Sequence, residues 1–307
     1  MSQGSHHTNN DERNRDIKIN INGELFHRDE AKISVFDSGF ILGDGVWEGL
    51  RLHHGKLPFI DQHMRRLWEG AKALDMELDI TPQQLIDRIL ATCEANNMED
   101  HVHIRLMVSR GVKSTPYQDP RVTITPPTIV IIPEYKVPSP DTADRGLDLY
   151  TVYVRRGAPD VQDQKLNTHS KLNCIFGCIQ ATKAGADEAL MLDPHGFVST
   201  CNSTHFFIVR NGEVWTSTGD YCLTGITRGN VIELCKQNGI KIRQKNFTLS
   251  EVYGADEAFV TGTFAGVTPV KSVDGRSIGD YPQRQSKGEM VTRLQKLYLA
   301  LIAKECS

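Results

Sequence analysis

Along the chain, Ile17, Ile19 and Ile21 alternate with polar residues and run into Asn22-Gly23, which predicts a strand and a tight hairpin turn. Ile60, Met64, Leu67, Ala71 and Leu74 recur at helical spacing, and Thr81-Pro82-Gln83-Gln84 has the form of a capping box opening a second helix to about Ala95. His101 to Val108 and Pro127 to Pro133 read as strands. The stretch 134–145 holds two prolines and several turn residues between apolar runs, and is read as an interdomain linker. The second half opens with a strand over 147–155 and a helix from about Ser170 to Ala184. A strand at 188–193 follows, with a turn at Asp193-Pro194-His195-Gly196, and then a hairpin through Asn211-Gly212. Val231, Leu234 and Cys235 share one face of a further helix that Gly239 terminates, and a last amphipathic helix runs from roughly Ser286 to Ala303. The pattern predicts an α/β (α+β) fold: a polar, disordered tail over 1–16, a small domain over 17–133 and a larger sheet-rich domain over 146–307.

Composition narrows the function classes. At 307 residues, two domains are the better expectation. The formal net charge is −3, and Lys and Arg are dispersed, which argues against nucleic-acid or anionic-membrane partners. Seven cysteines with no CxxC pair read as buried thiols of a reducing compartment. The first sixteen residues lack the apolar core of a secretory signal and no run has the length of a membrane span, so a cytoplasmic location is expected.

A phosphate ester held without a metal needs free N–H groups at a helix start and a fixed cation. Gly225-Ile226-Thr227 supplies such a start, 261–266 (TGTFAG) a second small-residue turn, and Arg66 a cation beside Leu67. Taken in order, FDSGFILGDGVWEG (36–49), HMRRL (63–67), AGADEALMLDPHGFVST (184–200), GITRGNVIEL (225–234) and DEAFVTGTFAGVTPVKSVDG (256–275) resemble the fold-type IV pyridoxal phosphate (PLP) enzymes, the class IV aminotransferases acting on branched-chain or D-amino acids. The resemblance runs from about Ile17 to Gly279. It implies PLP as cofactor, with Arg66, the Ile226 and Thr227 backbone, and Thr263 holding its phosphate. It also implies amino acid and 2-oxo acid substrates, a two-domain fold and a homodimer.

The pattern breaks at two positions. Registering the helix on Ala184-Gly185 puts Ser170-Lys171-Leu172 over the family's Asn-Tyr-Leu, so that Asn167 falls where the family has its lysine. Thr200 falls where the family has the glutamate facing the pyridine nitrogen. An asparagine can neither condense with an aldehyde nor carry a proton, and a hydroxyl keeps the ring nitrogen protonated less well than a carboxylate does. Lys171 is the candidate replacement amine. Lys165 is a second candidate, two residues before Asn167, and loss of the linkage altogether is a third reading. Thr200 and Asn167 are placed against the cofactor.

For the substrate, Arg105 and Arg110 lie in one strand but five apart, on opposite faces, so at most one faces the site. Trp47, Phe40, His103 and Ala265 are expected around the side-chain pocket. His101 and His103 have no third partner at metal-ligand spacing, and no metal is expected. The favoured reading is an aminotransferase. A PLP lyase or eliminase and a non-catalytic homologue remain as alternatives.

Overall fold

The computed structural model describes residues 11–279 and 287–307. Asn22 and Gly23 both take positive φ (54° and 100°), the backbone a two-residue hairpin demands, and fold β1 (Lys18–Ile21) onto β2 (Glu24–His27). With β3 (Gly45–Leu52), β4 (Val102–Ser109) and β5 (Thr128–Tyr135) they form an antiparallel sheet of order β2-β1-β5-β4-β3. A short helix α1 (Ser38–Leu42) leads into β3, and α2 (Ile60–Ala73) and α3 (Pro82–Glu94) pack on this sheet. The Thr81 capping box is formed as read, with Thr81 and Gln84 bonding each other's backbone N–H. Met64, Leu67 and Ala71 of α2 and Leu85, Ile89 and Cys93 of α3 close one core with Leu50, Ile104, Leu106 and Ile131.

Among the described residues the second sheet has nine strands. They are β6 (Leu147–Thr151), β7 (Glu188–Leu192), β8 (Val198–Cys201), β9 (His205–Arg210), β10 (Glu213–Thr216), β11 (Ile242–Gln244), β12 (Glu257–Gly262), β13 (Gly266–Val273) and β14 (Arg276–Ser277). The order is β11-β10-β9-β12-β13-β6-β7-β8, with β14 on β13. The helices are α4 (Pro140–Arg145), α5 (Leu172–Lys183), α6 (Ile226–Gln237), α7 (Leu249–Tyr253) and α8 (Glu289–Glu305). β9 shows why its sequence is apolar without alternation. Phe206 and Ile208 face a core with Phe247 and Val252, while Phe207 and Val209 face α6 and α8 through Val231, Leu234 and Leu294. A strand covered on both faces has no polar side.

Four boundaries differ from the sequence reading. Residues 1–10 lie outside the described residues, but Glu12–Asp16 is a 3-10 turn instead of disordered tail. Asp11 caps it, and the Asn14 amide bonds both the N–H and the C=O of Tyr135, a tertiary contact invisible to local pattern. β6 stops at Thr151 because the Thr151 amide is taken by the Asp274 carboxylate at 2.6 Å. Within 134–145, Glu134 and Tyr135 still pair with β4, and α4 follows. The last helix begins at Glu289; Ser286 lies outside the described residues.

Candidate active site

Residues 167–169, between β6 and α5 in the chain, run antiparallel along the edge of β3. The Trp47 amide donates to Asn167 O at 3.0 Å, the His169 amide to Gly45 O at 2.9 Å, and the Trp47 indole N–H to Thr168 O at 3.0 Å. Gly45 is required at this seam, since a Cβ there would lie 2.5 Å from Val108 O and 2.7 Å from the His169 ring. Beside the seam is a cavity of about 400 Å³, within the usual size range of small-molecule sites. It is reached by Trp47 and Gly49 of β3, Arg66 of α2, His103 and Arg105 of β4, Lys136 after β5, Thr200 of β8, His205 of β9, Thr261 and Gly262 at the end of β12 and the following Thr263 and Phe264.

One end of the cavity is built for an anion. Gly225 caps α6 with no side chain to occupy the first free N–H groups, and Ile226 and Thr227 line the cavity at that start. Arg66 Nη1 donates to Thr224 O at 2.9 Å, which seats the guanidinium against the same turn. Its Nε and Nη2 donate to Glu48 at 2.8 and 2.6 Å, a bidentate pair, and Glu48 also receives the His63 Nδ1–H at 2.6 Å. Glu48 is fully buried; burial alone would raise its pKa, but Arg66 and His63 outweigh this and lower it, so the carboxylate stays charged. The guanidinium still has N–H groups to spend on a ligand. The Thr261 hydroxyl is buried with no hydrogen-bond partner among the described residues, although it lines the cavity. A native structure keeps few such orphans, and a ligand acceptor in the cavity would satisfy this one.

The other wall is also cationic. Arg105 stacks on the Trp47 ring at 3.8 Å, and Lys136 lies 5.1 Å from the centre of the Phe264 ring, whose edge also meets His103. Burial lowers the Lys136 pKa, partly offset by Glu134. Arg156 is held by Asn173 Oδ1 at 2.8 Å and Cys174 Sγ at 3.2 Å. Lys171 is the N-cap of α5, and its ammonium donates to Asn167 Oδ1 at 3.2 Å. Arg66, Arg105, Lys136, Arg156 and Lys171 all line the cavity, and among the described lining residues there is no Asp or Glu. The His205 ring is pushed down to about 3 by burial and then by Arg228, Arg66 and Arg156, so it remains neutral. Thr200 Oγ1 donates to Thr204 O at 2.8 Å, and His205 Nδ1 lies 3.5 Å from it.

The structure therefore gathers Trp47, Arg66, His103, Arg105, Asn167, Lys171, Thr200, Ile226, Thr227 and Thr263 around one space. Ala265 is not among the lining residues; its neighbour Phe264 is. Arg110 is not in the strand as read: it lies one residue past the end of β4 and points elsewhere, bound to Asp44 at 2.6 Å and to the carbonyls of Leu74 and Asp75. Phe40 sits on α1, 68% exposed and outside the cavity, because the short helix turns it to the surface. Lys165 is exposed and does not line the cavity. Sequence reasoning passed over Lys136, Arg156, His205 and Phe264. The Arg155-Arg156 pair closing a strand-like run was the one visible signal for any of them.

The family model described as Amino-transferase class IV matches residues 45–273. The chain belongs to this family, the fold-type IV PLP enzymes. Branched-chain-amino-acid aminotransferase-like protein 2 of Arabidopsis thaliana is 38% identical over 281 residues, covering 92% of this chain. The chain spans only 49% of that relative. The branched-chain-amino-acid aminotransferase of Pseudomonas aeruginosa is 31% identical over 297 residues, 94% of each chain. Among solved structures, a branched-chain amino acid aminotransferase from T.th. complexed with N-(5′-phosphopyridoxyl)-L-glutamate superposes with a TM-score of 0.85 at 29% identity. That match covers 94% of this chain and 95% of the other. The class IV architecture is thus shared along nearly the whole length.

The anion end has a steric weak point. A Cβ on Gly225 would lie 2.2 Å from His205 Nε2, in a buried ring that has little room to yield. Gly225→Ala is expected to destabilise the fold by about 1–3 kcal/mol and to disturb the α6 start. Adding His205→Ala should recover much of the loss, because the two residues are in contact. Urea unfolding of the two single variants and the double variant measures this coupling, and additive effects would show that the contact is not the cause.

Proposed function

We propose that this chain is a PLP-dependent enzyme that moves amino groups between a small amino acid or amine and a 2-oxo acid. The observation that carries the reading is the cavity lined by five cationic side chains and no described carboxylate, with a helix N-terminus and Arg66 at one end. A phosphate and a substrate carboxylate together match that charge. PLP fits the residues present: Arg66, the Ile226 and Thr227 N–H groups and Thr263 would hold the phosphate, Thr200 would stand by the ring nitrogen, and the orphaned Thr261 hydroxyl would gain an acceptor. When bound, PLP supplies an electron sink for the electrons left by a broken bond at the substrate α-carbon.

The chain's own residues do the rest. Arg66 is aimed by Glu48, so its guanidinium reaches the phosphate end without reorganising. Arg105, flattened on Trp47, presents N–H groups for a substrate carboxylate, and Trp47 and Phe264 exclude water beside it. The bound relative's phosphopyridoxyl glutamate supports an amino acid carboxylate in this cavity. Purified protein supplied with PLP, an amino donor panel and a 2-oxo acid acceptor tests the reading; donor-dependent formation of new amino acid is expected, and no turnover with any donor by a folded, PLP-loaded protein contradicts it.

Thr200 favours one second reading. Its proton is given to Thr204 O, so only a neutral oxygen is left to face the ring nitrogen, which weakens the sink. Elimination or lyase chemistry would show as ammonia and 2-oxo acid released without an acceptor.

The same proposal includes a cytoplasmic homodimer and a division into a smaller and a larger domain. Among the described residues no helix is long and apolar enough to cross a membrane. α5 carries Leu172, Ile175, Phe176 and Ile179 at helical spacing and all are exposed, a stripe that supports burial against a second copy. Phe176→Asp with Ile179→Asp is expected to yield monomers in light scattering, while the unaltered chain elutes as a dimer; an unaltered chain that runs as a monomer overturns this part.

A further inference from the structure

The cavity places two lysines among its described lining residues, Lys136 and Lys171. Lys136 has Phe264, Arg105 and Glu134 as its surroundings. Lys171 emerges from the first turn of α5, and its ammonium lies 5.3 Å from the centre of the Trp47 ring. Asn167 holds it there. The Asn167 side-chain N–H donates to Trp47 O at 2.6 Å, which fixes the orientation of the carboxamide and turns its oxygen to Lys171 Nζ at 3.2 Å. Asn167 is itself buried and locked to β3 through its own carbonyl, which accepts from the Trp47 amide. The residue at the position where the family has its lysine is therefore a fixed acceptor aimed at a lysine four residues on.

We propose that Lys171 supplies the amine that binds the cofactor aldehyde covalently, with Asn167 as its positioning residue. This rests on the reading of the cavity as a PLP site. The free Lys171 amine adds through its lone pair to the aldehyde carbon, the aldehyde oxygen takes up a proton, and one water leaves as the C=N bond forms. No oxidant or reductant is consumed. Burial, with Cys174 opposing and Arg156, Arg66 and Arg105 adding to it, brings Lys171 down to about 8. Near pH 8 roughly half of such an amine is free, against well under ~1% for an ordinary lysine. Burial first, and the surrounding arginines after it, thus raise the free fraction of the nucleophile.

Borohydride reduction of the PLP-loaded full-length chain, followed by peptide mapping, tests the assignment, with bound PLP counted separately by equilibrium dialysis. Hydride reaches the C=N carbon, solvent protonates the nitrogen, and a phosphopyridoxyl group should be found on Lys171. A label on Lys136 or Lys165, or PLP bound but no lysine labelled, overturns the assignment and leaves the cofactor reading standing. No PLP retained overturns both. Lys171→Ala, folded by circular dichroism, should give no adduct at all. Asn167→Asp supplies a readout that a purely structural role would not move. A carboxylate beside the ammonium raises the lysine pKa, so the pH midpoint of adduct formation should shift upward by one unit or more, whereas Asn167→Ala should slow adduct formation without that upward shift. An unchanged midpoint in Asn167→Asp refutes the positioning role.

Discussion

Arg66→Ala is expected to weaken PLP binding on the order of a hundredfold, ~2.7 kcal/mol, because charge-assisted hydrogen bonds to the phosphate would be lost from a partly desolvated site. The loss should be specific to the phosphate. Pyridoxal without its phosphate should bind the variant and the unaltered chain almost equally, and Arg66→Lys should recover part of the affinity as a point charge without the fork. Fluorescence titration with both ligands makes the comparison, and equal loss for the two would place Arg66 away from the phosphate. The ratio between ligands is the informative quantity, since Arg66 also neutralises Glu48 and its removal lowers stability.

Glu48→Gln is expected to cost about 3 kcal/mol of folding stability, since the substitution leaves the partly buried Arg66 guanidinium without its counter-charge. The same cluster sets an acid limit. The folded Glu48 pKa lies below its ordinary 4.5, so its contribution is present above 4.5 and is lost as pH falls through the lower folded value. Burial holds His63 below its ordinary 6.5 although Glu48 pulls it upward, so the unfolded chain takes up that proton first and stability falls as pH drops below 6.5. Urea unfolding between pH 7 and pH 4 should therefore show declining stability in the unaltered chain. The part of the decline below pH 4.5 should flatten in Glu48→Gln, and a variant with an unchanged slope there would show that Glu48 is not the titrating group.

What could be read from the sequence is what local chemistry decides. The Asn22-Gly23 and Asn211-Gly212 hairpins need positive φ and have the residues that adopt it, and the Thr81 capping box closes on itself within four residues. The gathering of Gly225, Ile226, Thr227 and Arg66 at one end of the cavity was legible for a similar reason: a glycine before a helix and an arginine on an amphipathic face are short-range signals. Spacing put Arg105 and Arg110 on opposite faces of one strand, whereas Arg110 lies one residue past the end of β4. The rest of the lining was not legible. Lys136, Arg156 and His205 stand at strand ends and loops in three different parts of the chain, and only the strand order brings them together. The acceptor role of Asn167 was hidden too, because it depends on Trp47, 120 residues away, holding the carboxamide in one orientation.

The most direct test of amino transfer is a single-turnover half-reaction. PLP-loaded protein is mixed with an amino acid in the absence of any 2-oxo acid, and the released cofactor and products are quantified by chromatography. One equivalent of pyridoxamine phosphate and one of the matching 2-oxo acid per site is the predicted result. PLP recovered unchanged with every donor, or ammonia and 2-oxo acid accumulating beyond one equivalent, would contradict it.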